Sequence, residues 1–109
     1  MYIEGEGSAT PGIVVAELSR KLLREIDAGN ETREGRLKRL EFVRASSQIL
    51  DLSFEAAVMA GELDVEMKTR AKGWGIADSI VLTMARLAGA KTVSGDEHFR
   101  GVKDSIFIK

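Results

Sequence analysis

Apolar positions recur along the chain in short blocks with helical or strand-like spacing. Val15, Leu18, Leu22 and Ile26 share one face at the 3.6-residue period. Thr10-Pro11 supplies a start signal for this helix, with Thr as N-cap and Pro at the first helical position. The helix is expected to run to about Ile26 and to end at Gly29-Asn30. A second helix is expected from Glu31 to Ala45, with Leu37, Leu40 and Phe42 or Val43 inward. Its other face is basic, carrying Arg33, Arg36, Lys38, Arg39 and Arg44. Gln48 to Leu52 reads as a short strand. Ser53 then caps a helix with a Phe54, Ala57, Val58, Gly61 and Val65 stripe, extending as far as Arg70. Gly73-Trp74-Gly75 interrupts the pattern. From Ile76 to about Leu87 a third strong helix presents Ile76, Ala77, Ile80, Val81, Met84, Leu87 and Ala88, and Gly89 stops it. Lys91 to Ser94 and Ser105 to Ile108 complete the list as strands, the first ending in a turn at Gly95-Asp96.

Strands that alternate with helices predict an α/β domain with a mostly parallel central sheet flanked by helices. Met1 to Ala9 is polar and glycine-rich and reads as a loose lead-in. The expected sheet therefore has only the three strands named above. That is few for this class, and no run before Thr10 is expected to supply a fourth.

Length allows a single domain of 109 residues, with a thin core. The composition, 44% apolar and 30% charged, is that of a globular protein, and no apolar run approaches the roughly 20 residues of a membrane span. No cysteine is present, which removes disulfides and thiolate metal sites and is consistent with a cytoplasmic setting. A net charge of −1 excludes electrostatic nucleic-acid binding by the chain as a whole.

Three acids stand in unusual settings. Glu17 lies in the first helix beside Ile13 and Val14, Asp78 lies in the first turn of the Ile76 helix, and Asp96 directly follows a strand. Ligands of parallel sheets bind beyond the carboxyl ends of the strands. Clustered carboxylates raise one another's pKa unless a cation neutralises them, and Mg²⁺ and Mn²⁺ favour such oxygen donors. With 17 Asp and Glu residues, however, chance triples are common. Glu17 also reads as a solvated residue near Arg20 and Lys21, Asp78 as a helix N-terminal carboxylate favoured by the macrodipole, and Asp96 as a turn residue with Gly95.

Two segments narrow the choice. Gly75-Ile76-Ala77-Asp78-Ser79-Ile80, followed by Thr92-Val93-Ser94-Gly95-Asp96-Glu97-His98-Phe99, resembles the C-terminal half of a PIN domain, in particular the VapC-type toxins of prokaryotic toxin–antitoxin pairs. Upstream, Thr10 to Leu18 resembles that family's helix with its site glutamate, so the likeness extends over residues 9 to 109. The resemblance implies a metal-dependent endoribonuclease in which Glu17, Asp78 and Asp96 hold Mg²⁺ or Mn²⁺ and Ser94 orients them. It also implies an RNA substrate, a restraining antitoxin and a homodimer. The family opens with a central strand bearing a further aspartate. The only acids before Thr10 are Glu4 and Glu6, so an N-terminally truncated domain is expected. That departure keeps a second reading open, a degenerate PIN module that binds RNA or a protein without cutting. His98, the sole histidine, reads more readily as structural or exposed than as functional, and Trp74 as packing at the core edge.

Overall fold

The computed structural model describes residues 2–4, 7–95 and 97–107. Its elements are β1 (Tyr2–Glu4), β2 (Ser8–Pro11), α1 (Gly12–Asp27), α2 (Arg33–Ser46), β3 (Gln48–Leu50), α3 (Phe54–Met67), α4 (Ile76–Leu87), β4 (Lys91–Ser94) and β5 (Ser105–Phe107), with a 3₁₀ turn at Glu97–Phe99 between the last two strands. The strands form one sheet in the order β3-β2-β1-β4-β5. The α/β class with flanking helices is as expected.

The expectation of a three-stranded sheet without a middle is corrected. Tyr2–Glu4 and Ser8–Pro11 both form strands, and β1 takes the central position. Three residues are too few to show an alternating pattern in the sequence, yet the alternation is present: Ile3 is buried while Glu4 faces outward. β1 runs antiparallel to both neighbours, with Ile3 opposite Ala9 on one side and Thr92 on the other. The outer pairs, β2 with β3 and β4 with β5, are parallel. β2, β3, β4 and β5 therefore all point the same way, and their carboxyl ends share one edge of the sheet.

Thr10-Pro11 does not open the helix as expected. Both residues belong to β2, where Thr10 pairs with Ile49 and its hydroxyl meets Ser47 Oγ at 2.8 Å. Ser47, the C-cap of α2 just before β3, thus takes the side chain that would otherwise cap the helix, and α1 starts at Gly12 without a side-chain cap. The Ser53 start signal holds, its Oγ accepting from the Ala56 amide at the head of α3. α2, expected from Glu31, begins at Arg33, and Thr32 is its N-cap, with Oγ1 accepting from the Gly35 amide.

α3 ends at Met67, short of Arg70, and its inward face differs from the expected one. Ala56, Ala60, Asp64 and Met67 are buried, whereas Phe54, Val58 and Val65 are exposed. The large side chains led the reading of the stripe. Close packing of α3 against α4 instead selects the small residues, because Ala56 and Ala60 let the two backbones approach. α4 is enclosed on nearly all sides from Asp78 to Ala85, while Ile76 and Leu87 at its ends are exposed. One face of α4 (Ile80, Met84, Ala85) packs with Ile3, Ala56 and Ala60, and another contributes Leu82 to a second cluster with Met67, Trp74 and Phe99. The polar Asp78, Ser79 and Thr83 are enclosed with the apolar residues in this central position. α1 and α2 are more thinly covered. Leu22 is the buried residue of α1, α2 has none, and Leu37 and Phe42 are exposed. Among the described residues, no helix is long and apolar enough to cross a membrane.

Candidate functional site

α4 precedes β4 and returns to it through a tight connection at Ala88 to Ala90. Its N-terminus therefore lies near the carboxyl end of β4, the edge where the parallel strands end. Asp78 occupies the third position of this helix and is 8% exposed. Its Oδ2 accepts the Gly75 amide at 2.9 Å, satisfying one of the orphan donors of the helix start. The same Oδ2 lies 3.0 Å from His98 Nδ1. A carboxylate oxygen only accepts, so Nδ1 is the donor in this pair. Oδ1 of Asp78 takes no hydrogen bond among the described residues.

The neighbours of both residues are locked to one indole. Trp74 is buried, and its Nε1 donates to Ser79 Oγ at 2.7 Å. Ser79 Oγ in turn donates to Asp64 Oδ1 on α3 at 3.0 Å. Lys68 Nζ stands 3.8 Å from the other oxygen of Asp64. Across the ring, Trp74 meets Phe99 at a centroid separation of 4.9 Å, with the planes tilted by 49°. Phe99 is fully buried. The residue after Asp78 and the residue after His98 are thus both fixed to Trp74, which holds the pair in register. Trp74 packs in the core, as the sequence reading favoured.

Of the other expected site residues, Ser94 ends β4 and is 1% exposed. Glu17 is exposed on α1, a helix that starts where β2 ends. It stands at the mouth of a cavity of about 460 Å³ lined by Val14, Leu18, Phe42, Val43 and Thr10. Asp96 lies outside the described residues. Among the described residues, no three acidic or histidine side chains converge as a metal-holding group. The structure thus places Asp78 and Ser94 at one sheet edge and joins Asp78 directly to His98. The carboxylate oxygens are the donor type that a hard divalent cation takes, and Asp78 Oδ1 is the one the described neighbours leave open.

Beside this pair, the Glu97 carboxyl is held below its ordinary range, chiefly by hydrogen bonds from Arg100 at 2.8 and 3.0 Å. Arg100 is correspondingly raised by that acid. The basic face of α2 is largely engaged in local pairs: Arg39 with Glu31, Lys38 with Glu34, Arg44 with Glu41, and Arg36 with Ser19. The Glu31 carboxyl is lowered by the Thr32 amide first and by Arg39 second.

The sequence reading missed the roles of Asp64 and Ser79 and gave His98 little weight. Ser79 follows Asp78 directly and is the only one of these with a local signal. Asp64 and His98 lie 14 and 20 positions from Asp78, distances that no periodicity connects.

The sequence profile of the PIN domain matches residues 2–104. No curated protein matches the chain. Two solved structures share the fold. One is a toxin–antitoxin complex from Klebsiella pneumoniae, with a TM-score of 0.63 and 18% identity, covering 90% of this chain and 71% of that one. The other is VapBC2 from Rickettsia felis bound to a DNA fragment from their promoter, with a TM-score of 0.68 and 22% identity, covering 92% and 72%. At these identities the likeness is one of fold.

Proposed function

The chain belongs to the PIN-domain family, and from that premise we propose that it is a Mg²⁺- or Mn²⁺-dependent endoribonuclease of the toxin type. The observation that carries this reading is Asp78: a buried carboxylate at the carboxyl edge of the sheet, one oxygen held by two donors and the other left open by the described residues. Asp78, Asp96 and Glu17 are the ligands in this reading, and Ser94 orients them. When bound, the metal supplies an activated water and neutralises charge on the scissile phosphate. The residues of the chain position the acids and keep the helix-side oxygen of Asp78 occupied.

Cleavage of single-stranded RNA in a Mn²⁺ titration tests the proposal, with chelator as control. Saturable, metal-dependent cutting supports it, and binding of RNA without cutting at any metal concentration rejects it. The second reading, a module that binds RNA or a protein without cutting, is favoured by one observation, that the central strand β1 carries Glu4 and no aspartate. It expects no saturable Mn²⁺ binding.

The proposed partners are an antitoxin, as in the complexes that share the fold, and a second copy of the chain. The exposed α3 stripe of Phe54, Val58 and Val65 is the face offered to that copy. Such a run of large apolar side chains on one exposed helix face is a candidate interface. Val65→Lys is expected to shift the sedimenting species from dimer to monomer. An unchanged mass would remove α3 from the interface.

A further inference from the structure

The geometry points to His98 as a positioning residue for Asp78, one that fixes Oδ2 and so leaves Oδ1 as the oxygen presented to a metal ion. This inference rests on the metal-dependent reading above and deepens it.

The argument begins with the torsion that must be fixed. Rotation of an aspartate carboxyl about χ2 is broad and roughly two-fold, so a single hydrogen bond orients it loosely. In this chain two donors reach the same oxygen from different elements, the Gly75 amide at 2.9 Å and His98 Nδ1 at 3.0 Å. The amide belongs to the start of the helix that carries Asp78. The imidazole comes from the 3₁₀ turn after β4 and ties the helix to that strand's end.

The imidazole is itself seated. On one side, the adjacent Phe99 is fully buried against Trp74. On the other, the ring lies over Gly73, where an added Cβ would stand 2.9 Å from His98 Nε2. Gly73 also has φ +79°, so both its backbone and the close approach of the ring call for glycine. The glycine that reads in the sequence as a pattern breaker thus makes room for the histidine. A ring anchored by its neighbour and seated on a glycine can hold Oδ2 without much loss of side-chain freedom on metal binding, as outer partners of metal ligands commonly do.

Isothermal titration of Mn²⁺ into the full chain tests this, with His98→Ala and His98→Asn beside it and melting temperatures recorded for all three. The Asn amide nitrogen stands near the place of Nδ1 and restores a donor. His98→Ala is expected to weaken Mn²⁺ binding by about 10- to 100-fold, and His98→Asn to recover most of that loss at a similar melting temperature. Wild-type affinity in His98→Ala would overturn the positioning role alone. Equal losses in both variants would overturn it as well, since the donor would then be irrelevant. No Mn²⁺ binding by the unaltered chain would overturn the metal-dependent reading and this inference with it.

Discussion

Replacing Asp78 by Asn is expected to reduce Mn²⁺-dependent RNA cleavage by about 100-fold or more, the scale on which a preorganised electrostatic group acts, while the chain stays folded. The substitution is nearly isosteric. An amide oxygen can still accept the Gly75 amide, so the start of α4 keeps its cap. What disappears is the negative charge. Its interaction with the helix dipole is worth about 0.3–1 kcal/mol. That is a small part of the roughly 5–15 kcal/mol that holds a domain together. Loss of activity with a preserved circular dichroism spectrum and melting temperature would therefore locate the defect in the chemistry. Cleavage at the unaltered rate would remove Asp78 from the site and, with it, the observation on which the proposed function rests.

The largest effect on stability is expected from Phe99→Ala. Phe99 is fully buried, shares a cluster with Met67, Trp74 and Leu82, and meets the Trp74 ring at 4.9 Å. Removing it deletes the buried ring and leaves a cavity that the surrounding helices can close only in part, a loss of about 3–5 kcal/mol. In a chain of this size that corresponds to a drop in melting temperature on the order of 15 °C. Phe54→Ala serves as the control. Phe54 is 81% exposed, and its loss should change the stability of the monomer by no more than about 0.5 kcal/mol. Chemical denaturation of both variants checks the contrast, and similar losses would mean that the second cluster does not hold the fold as described. Phe99→Ala should also loosen His98, its chain neighbour, so Mn²⁺ affinity measured well below the melting transition is expected to fall too.

Three of the local readings agree closely with the structure because the signals are local. The α4 boundaries follow from Gly75 before Ile76 and Gly89 after Leu87, and Gly89 takes φ +65° there. Ser53 caps α3 through a bond that reaches only three residues ahead. Lys91–Ser94 forms a strand as its composition suggests. Asp78 was singled out by an acid between apolar neighbours, and the structure places it buried at the head of α4.

Tertiary contacts decided the rest. Tyr2–Glu4 has no strand signal of its own and becomes the centre of the sheet because β2 and β4 supply hydrogen-bonding edges on both sides. The inward face of α3 was misjudged because hydrophobicity ranks Phe54 and Val65 above Ala56 and Ala60, whereas the approach of α4 rewards small side chains. Thr10 and Pro11 carry the grammar of a helix start, yet β3 alongside draws them into a strand. By itself the sequence determined where most helices begin and end, since capping, glycine stops and helical periods act over a few residues. Only the folded chain could join His98 to Asp78 and fasten both to Trp74 through Phe99 and Ser79, because those contacts span up to 25 positions and depend on how two helices and a strand end meet.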